Sequence, residues 1–141
     1  MTARAVLKRP MDIRLTHCPG GGGRTQVTLV YRVSDPYAVQ LDIPDHGVVV
    51  SWLLSRDLLA DGLDGGAGLG DVRVSPVLFD GAGVLVELVN PDGPGSVVLR
   101  FARADLERFL DDTDAMVPVG TEASRIDWER ELRALAGGEA A

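Results

Sequence analysis

One cysteine in 141 residues leaves no internal disulfide framework and no paired-cysteine redox or zinc motif. Histidine is nearly as scarce. His17 adjoins Cys18, so on a strand the two side chains leave opposite faces, and His46 lies in a turn signal. These residues make no four-ligand metal site, and no elbow sequence surrounds Cys18 or any serine to suggest a nucleophile. Aromatics number seven and lysine one. No apolar run approaches the roughly 20 residues that span a bilayer. Met1–Pro10 has no apolar stretch of signal-peptide length, which points to a cytoplasmic protein.

What is present is aliphatic and rich in turns. Eighteen valines and eighteen leucines promise a core, and seventeen glycines with eight prolines favour many short strands over long helices. The length suits one domain. The net charge of −7 is uneven: residues 1–33 carry +5, residues 34–102 carry −7 and residues 103–141 carry −5. An acidic chain repels phosphate backbones, which disfavours general nucleic-acid binding. The basic first third keeps a local version open.

Period-two alternation marks strands at Met11–Thr16, Gln26–Ser34, Tyr37–Ile43, Val48–Leu54, Val72–Phe79, Val84–Asn90 and Ser96–Phe101. Residues 1–10 read as a flexible lead-in, and residues 11–141 as the domain. Glycine-rich loops are expected at Pro19–Gly23 and Asp64–Gly70. Turns are expected at Pro44–Gly47, Asp80–Gly83 and Pro91–Gly95. Ser55–Leu63 reads as a short helix capped by Ser55 and closed by Gly62. Leu106, Phe109 and Leu110 give helical spacing over about Ala102–Asp112, and Trp128, Leu132 and Leu135 over Asp127–Ala136. The fold class is α+β: one domain of about seven mainly antiparallel strands with two or three flanking helices. Short connections favour local antiparallel pairing.

Two glycine runs invite phosphate-binding readings and fail them. Gly20–Thr25 lacks the leading glycine, which would fall at Cys18, and has Arg24 in place of lysine. Gly66–Gly70 places Asp71 where a dinucleotide fingerprint needs its third glycine. A strand rather than a helix follows each, so no helix N-terminus awaits an anion. Asp111, Asp112 and Asp114 crowd a helix end, where negative charge is mildly unfavourable; a solvated terminus or a partner contact explains them better than catalysis. Trp52 suits the core, with a hydrophobic partner contact as the alternative.

The motifs that remain are specific in combination. Asp35-Pro36-Tyr37-Ala38-Val39, Trp52 with Arg56-Asp57-Leu58-Leu59-Ala60-Asp61-Gly62-Leu63, and Gly70-Asp71-Val72-Arg73-Val74 before Pro76 resemble the SsgA-like proteins of actinobacteria. The likeness continues through Leu106-Glu107, Phe109-Leu110 and Thr113, then Pro118, Gly120, Thr121 and Glu122. It covers about Asp35 to Ala136. The resemblance implies a non-enzymatic regulator of sporulation-specific cell division without cofactors. It implies a whirly-like β structure and a homotrimer recruited to division septa. The partners it implies are cell-division proteins, FtsZ or other family members among them. Residues 1–34, Ser75 and the Asp111-Asp112 pair depart from the family pattern, as in a divergent paralogue.

The candidate partner surface is the short helix with Arg56, Asp57 and Asp61, the turn at Asp71, and the acidic Asp111 and Asp112. Arg56 offers a planar fork for a carboxylate; the competing reading pairs it inside the domain. The alternative function is a single-stranded nucleic-acid binder using Arg4, Lys8, Arg9, Arg14, Arg24 and Arg32. Such binders stack bases on aromatics, and only Tyr31 lies in that region.

Overall fold

Leu7, Met11 and Ile13 turn inward while Lys8, Asp12 and Arg14 turn outward, and this alternation builds the first strand, β1 (Val6–His17). In the computed structural model, residues 5–17, 22–90 and 95–126 are described, with Leu132, Arg133 and Leu135. The final helix expected over Asp127–Ala136, with Trp128, lies largely outside the described residues. β2 (Gly23–Arg32), β3 (Asp35–Asp45) and β4 (Val48–Ser55) follow as an antiparallel meander. The helix α1 (Arg56–Gly65) leads into a second meander of β5 (Ala67–Leu69), β6 (Val72–Val77), β7 (Asp80–Val89) and β8 (Ser96–Ala102). β8 pairs antiparallel with β1 and joins the halves into one eight-stranded sheet, ordered β4-β3-β2-β1-β8-β7-β6-β5. α2 (Arg103–Met116) and a single 3-10 turn (Glu122–Arg125) complete the described chain.

The mainly antiparallel α+β architecture is as the sequence suggests, with local differences. Residues 6–10, expected in the lead-in, form the first part of β1, because Val6 through Pro10 pair with Arg32 through Thr28. The eighth strand is β5, which lies inside the expected Asp64–Gly70 loop. α2 runs one turn beyond Asp112. Ser55 caps α1 as expected, accepting from the Leu58 N–H at 3.2 Å. Gly62 does not close that helix; Gly66 does, at φ 93°. Gly62 is instead buried at a crossing, where a Cβ would lie 2.9 Å from the Val74 carbonyl oxygen. His46 and Gly47, at φ 48° and 85°, turn the β3–β4 hairpin in the mirror-image geometry that matches strand twist.

The core is one cluster between the inner sheet face and the helices. Val27, Leu29, Val39 and Leu41 from the first meander meet Val74, Val86, Leu99 and Phe101 from the second. Leu59 of α1, with Leu106 and Phe109 of α2, close it. On the outer face of β1 and β2, Lys8, Arg14, Arg24 and Gln26 are all exposed, and among the described residues no helix covers them.

Candidate partner-binding surface

Arg56, at the start of α1, is 2% exposed. Its Nη1 donates to the carbonyl oxygens of Thr113 at 3.2 Å and Val117 at 2.7 Å. Nη2 lies 3.0 Å from Glu122 Oε2, an ion pair without regular hydrogen-bond geometry, and Nε has no partner among the described residues. The guanidinium carbon stands 5.2 Å from the centroid of the Tyr31 ring, a cation–π contact. The Tyr31 hydroxyl donates to the Pro36 carbonyl at 2.8 Å. Arg56 therefore ties α1 to β2, to the end of α2 and to the 3-10 turn. It is not free to receive a partner's carboxylate, and its place among the surface candidates is corrected.

This knot also explains the acidic end of α2. The last turn holds Asp114 and no basic residue, with Asp112 just before it, where the helix dipole is negative and the last carbonyls lack helical partners. Arg56 brings a positive charge and two donors to that end. Asp114 accepts from the Val119 N–H at 2.8 Å, and Asp112 pairs with Arg9 of β1 at 2.5 Å. Asp112 is thus engaged within the domain, whereas Asp111 is exposed. The Glu122 carboxyl is held below its usual pKa by its own main-chain N–H and by Arg56, against a smaller cost of desolvation, with the Gly120 N–H donating at 2.7 Å. Burial pushes the Tyr31 phenol upward, partly offset by Arg56.

Asp57 and Asp61 occupy the exposed side of α1, one turn apart, and Asp71 is exposed in the turn between β5 and β6. α1 packs on both of these strands, so these three carboxylates share one region of the molecule. Asp111 and Asp112 lie on α2 instead. Trp52 is half-buried, packs against the core and lines an open apolar groove of about 340 Å³ with Leu15, Ile43, Val50 and Leu88.

Sequence reasoning missed the most exposed apolar residues. Leu78 and Phe79 form the two-residue tip between β6 and β7, 82% and 105% exposed. Phe79 adopts φ 63°, a left-handed conformation unfavourable for a residue with a Cβ. The composition of Asp80–Gly83 marks a turn, yet these residues begin β7. Val48, Val49, Val50 and Leu53, on edge strand β4, are also exposed.

Among the described residues no cluster of three or more His, Cys, Asp or Glu side chains is placed to hold a metal ion, and no helix is long and apolar enough to cross a membrane. Tyr31, the aromatic that the nucleic-acid alternative needed, is fully buried under Arg56.

Comparison with known proteins agrees with this geometry. The family model described as Streptomyces sporulation and cell division protein, SsgA, matches residues 25–122, which contain every member of the Arg56 knot. A sporulation-specific cell division protein of Frankia casuarinae is 38% identical over 88% of this chain and 86% of its own. SsgB of Streptomyces coelicolor, also called a sporulation-specific cell division protein, is 42% identical over 74% of this chain and 76% of its own. A structure reported with mutations in SsgB that correlate to longitudinal cell division during sporulation of S. coelicolor superposes with TM-score 0.76 at 34% identity, covering 89% of this chain and 98% of that one. The crystal structure of an SsgA-like sporulation-specific cell division protein from Thermobifida fusca gives TM-score 0.79 at 27% identity over 94% and 97%. With the family model, the relatives and the fold in agreement, the chain belongs to the SsgA family of sporulation and cell division proteins.

Proposed function

We propose that this protein acts in sporulation-specific cell division as a non-enzymatic adaptor that helps to position or build septa through protein–protein contacts. The observation that carries the reading is likeness to sporulation-specific cell division proteins over most of the chain, in sequence and in fold. The charged groups at the Arg56 knot are consumed by structural bonds, which suits a binding module. The candidate docking region is the exposed side of α1 with Asp57, Asp61 and Asp71, together with Asp111. The apolar tip at Leu78–Phe79 adds an anchor, since exposed aromatics often carry binding energy once buried by a partner. The partners proposed are FtsZ or other members of the family.

Self-association is part of the proposal, with a trimer the form the family resemblance suggests. Edge strand β4 supports it. Eight residues long, with Val48, Val49, Val50 and Leu53 exposed, it is the kind of unprotected edge that invites pairing. The test is a fluorescent fusion in a sporulating actinobacterium lacking its own copy. Septal bands and restored septation are expected. A diffuse signal without rescue would overturn the reading. Light scattering of the purified chain should give a multiple of 15.0 kDa.

A further inference from the structure

The basic first third of the chain becomes a surface feature of the fold. Arg14 on β1 is directly opposite Arg24 on β2 and directly opposite Arg100 on β8. Three arginines therefore stand in a row on the outer sheet face, their stems set apart by the strand spacing of about 4.8 Å. Arg14 and Arg24 are exposed, and neither has an ion-pair or hydrogen-bond partner among the described residues. Arg100 is held by Asp80. Like charges placed opposite each other in a sheet repel, so the row does not stabilise the sheet that carries it.

The row borders a shaped depression. Arg14, Arg24 and Arg100 line an open hollow of about 460 Å³ with Asp12, Ala82 and Ala102. Gly83 keeps one end low: a Cβ there would lie 3.0 Å from Arg100 Nε and 2.8 Å from Val77 Cγ2. Arg100 thus lies along the Gly83 backbone, beside the residue that leads into the exposed Leu78–Phe79 tip. Asp80, which holds Arg100, directly follows Phe79 in the chain, so the tip begins one residue from a partner of the row.

We propose that this hollow docks an acidic segment of a protein partner, with carboxylates on Arg24 and Arg14, beside the Asp80-held Arg100, and an apolar side chain toward the Leu78–Phe79 tip. Guanidinium forks match carboxylates in plane and bind them with two donors. The arginines form a ladder, which suits a run of anions better than one small ion. A nucleic-acid strand would call for a stacking surface along the row, and the one aromatic lining the hollow, Phe101, is 2% exposed. The carboxylate-binding role thus passes from Arg56 to this face. The inference rests on the adaptor reading and supplies the chemistry of a contact.

The test is fluorescence anisotropy of the full chain with a labelled peptide of six glutamates and one leucine. Saturable, salt-sensitive binding is expected, weakened at least roughly tenfold by Arg14→Glu with Arg24→Glu. Phe79→Gly should weaken it less, and Arg73→Glu, elsewhere on the same sheet face, should leave it unchanged. Circular dichroism checks that each variant is folded, and Arg14→Gln with Arg24→Gln gives a milder version of the double change. No saturable binding, or binding unaffected by either double variant, overturns the proposal. So does tighter binding of a hexanucleotide through the same arginines. A change of mass by light scattering in the double variants would assign the row to a second copy and also overturn it. Septal localisation of the wild-type fusion is a separate readout, so the adaptor reading and this site can fail independently.

Discussion

Two arginine sites in this molecule place the same side chain in opposite conditions. At the knot, one buried guanidinium is surrounded by acceptors: two carbonyls, a carboxylate and the face of a tyrosine. On the outer sheet face, three guanidiniums stand side by side, and only Arg100 among them has a carboxylate partner among the described residues. The first site is closed to an outside partner by burial, although Nε has no hydrogen-bond partner there. The second carries unspent donor capacity. Binding chemistry thus belongs where charge is left over, not where the charged residue sits in a family motif.

The sharpest way to break the contrast is Arg56→Ala. Removing one partner of a buried pair leaves the other uncompensated, at a cost of roughly 3–5 kcal/mol. The Thr113 and Val117 carbonyls also lose a donor. A fall in melting temperature of well over several degrees is expected. A variant as stable as wild type would show that the knot does not hold α1 to α2.

Acid probes the same site more gently. The pKa of Glu122 is lowered in the folded state, so its contribution is fully present above the unfolded value, roughly pH 4.3, and is lost as pH falls through the folded value. Asp42, lowered by hydrogen bonds from Ser51 and Gln40, acts in the same direction. Melting temperature should therefore drop on the acid side of that window. Glu122→Gln should be less stable near neutrality and show a shallower acid slope. An unchanged slope would remove Glu122 from the account.

Phe79 tests the exposed side. Its left-handed backbone costs roughly 1–2 kcal/mol, and the fully exposed ring recovers nothing by burial. Phe79→Gly should therefore match or exceed wild type in urea denaturation, the relief of strain being partly offset by glycine's greater unfolded-state entropy. It should also weaken capture of the acidic peptide. A less stable variant would mean that the ring supports the hairpin.

The strands were legible because a half-buried sheet writes period two into the sequence, as in Val27, Leu29 and Tyr31. β5 was not, since Ala67-Gly68-Leu69 is short and half surrounded by glycine. The β6–β7 turn was misplaced because Asp80-Gly81-Ala82-Gly83 carries every compositional mark of a turn, while Leu78-Phe79 carries none. The fate of Arg56 was equally hidden: its carbonyl partners lie 57 and 61 residues along the chain. The arginine row needed register. Arg14 and Arg24 are ten residues apart in a basic stretch, and only the β1–β2 and β1–β8 pairings align them with Arg100.

The smallest effect is the most discriminating for the row. Arg14 has a like charge directly opposite on both sides, and like charges facing each other across strands cost a few tenths of a kcal/mol per pair, on the order of other cross-strand pair energies. Asp12, two residues away on the same outer face, offsets part of this. Arg14→Thr keeps β-forming character and removes both repulsions. It should raise the urea midpoint slightly at low salt, and the gain should shrink at high salt, because the repulsion is exposed to solvent and screened within about 10 Å at 0.1 M. The same variant should bind the acidic peptide more weakly. Higher stability with lower capture is the signature of a site kept under electrostatic strain for a ligand. If Arg14→Thr is destabilising at low salt, the row is held together by the fold itself, and the contrast with the Arg56 knot disappears.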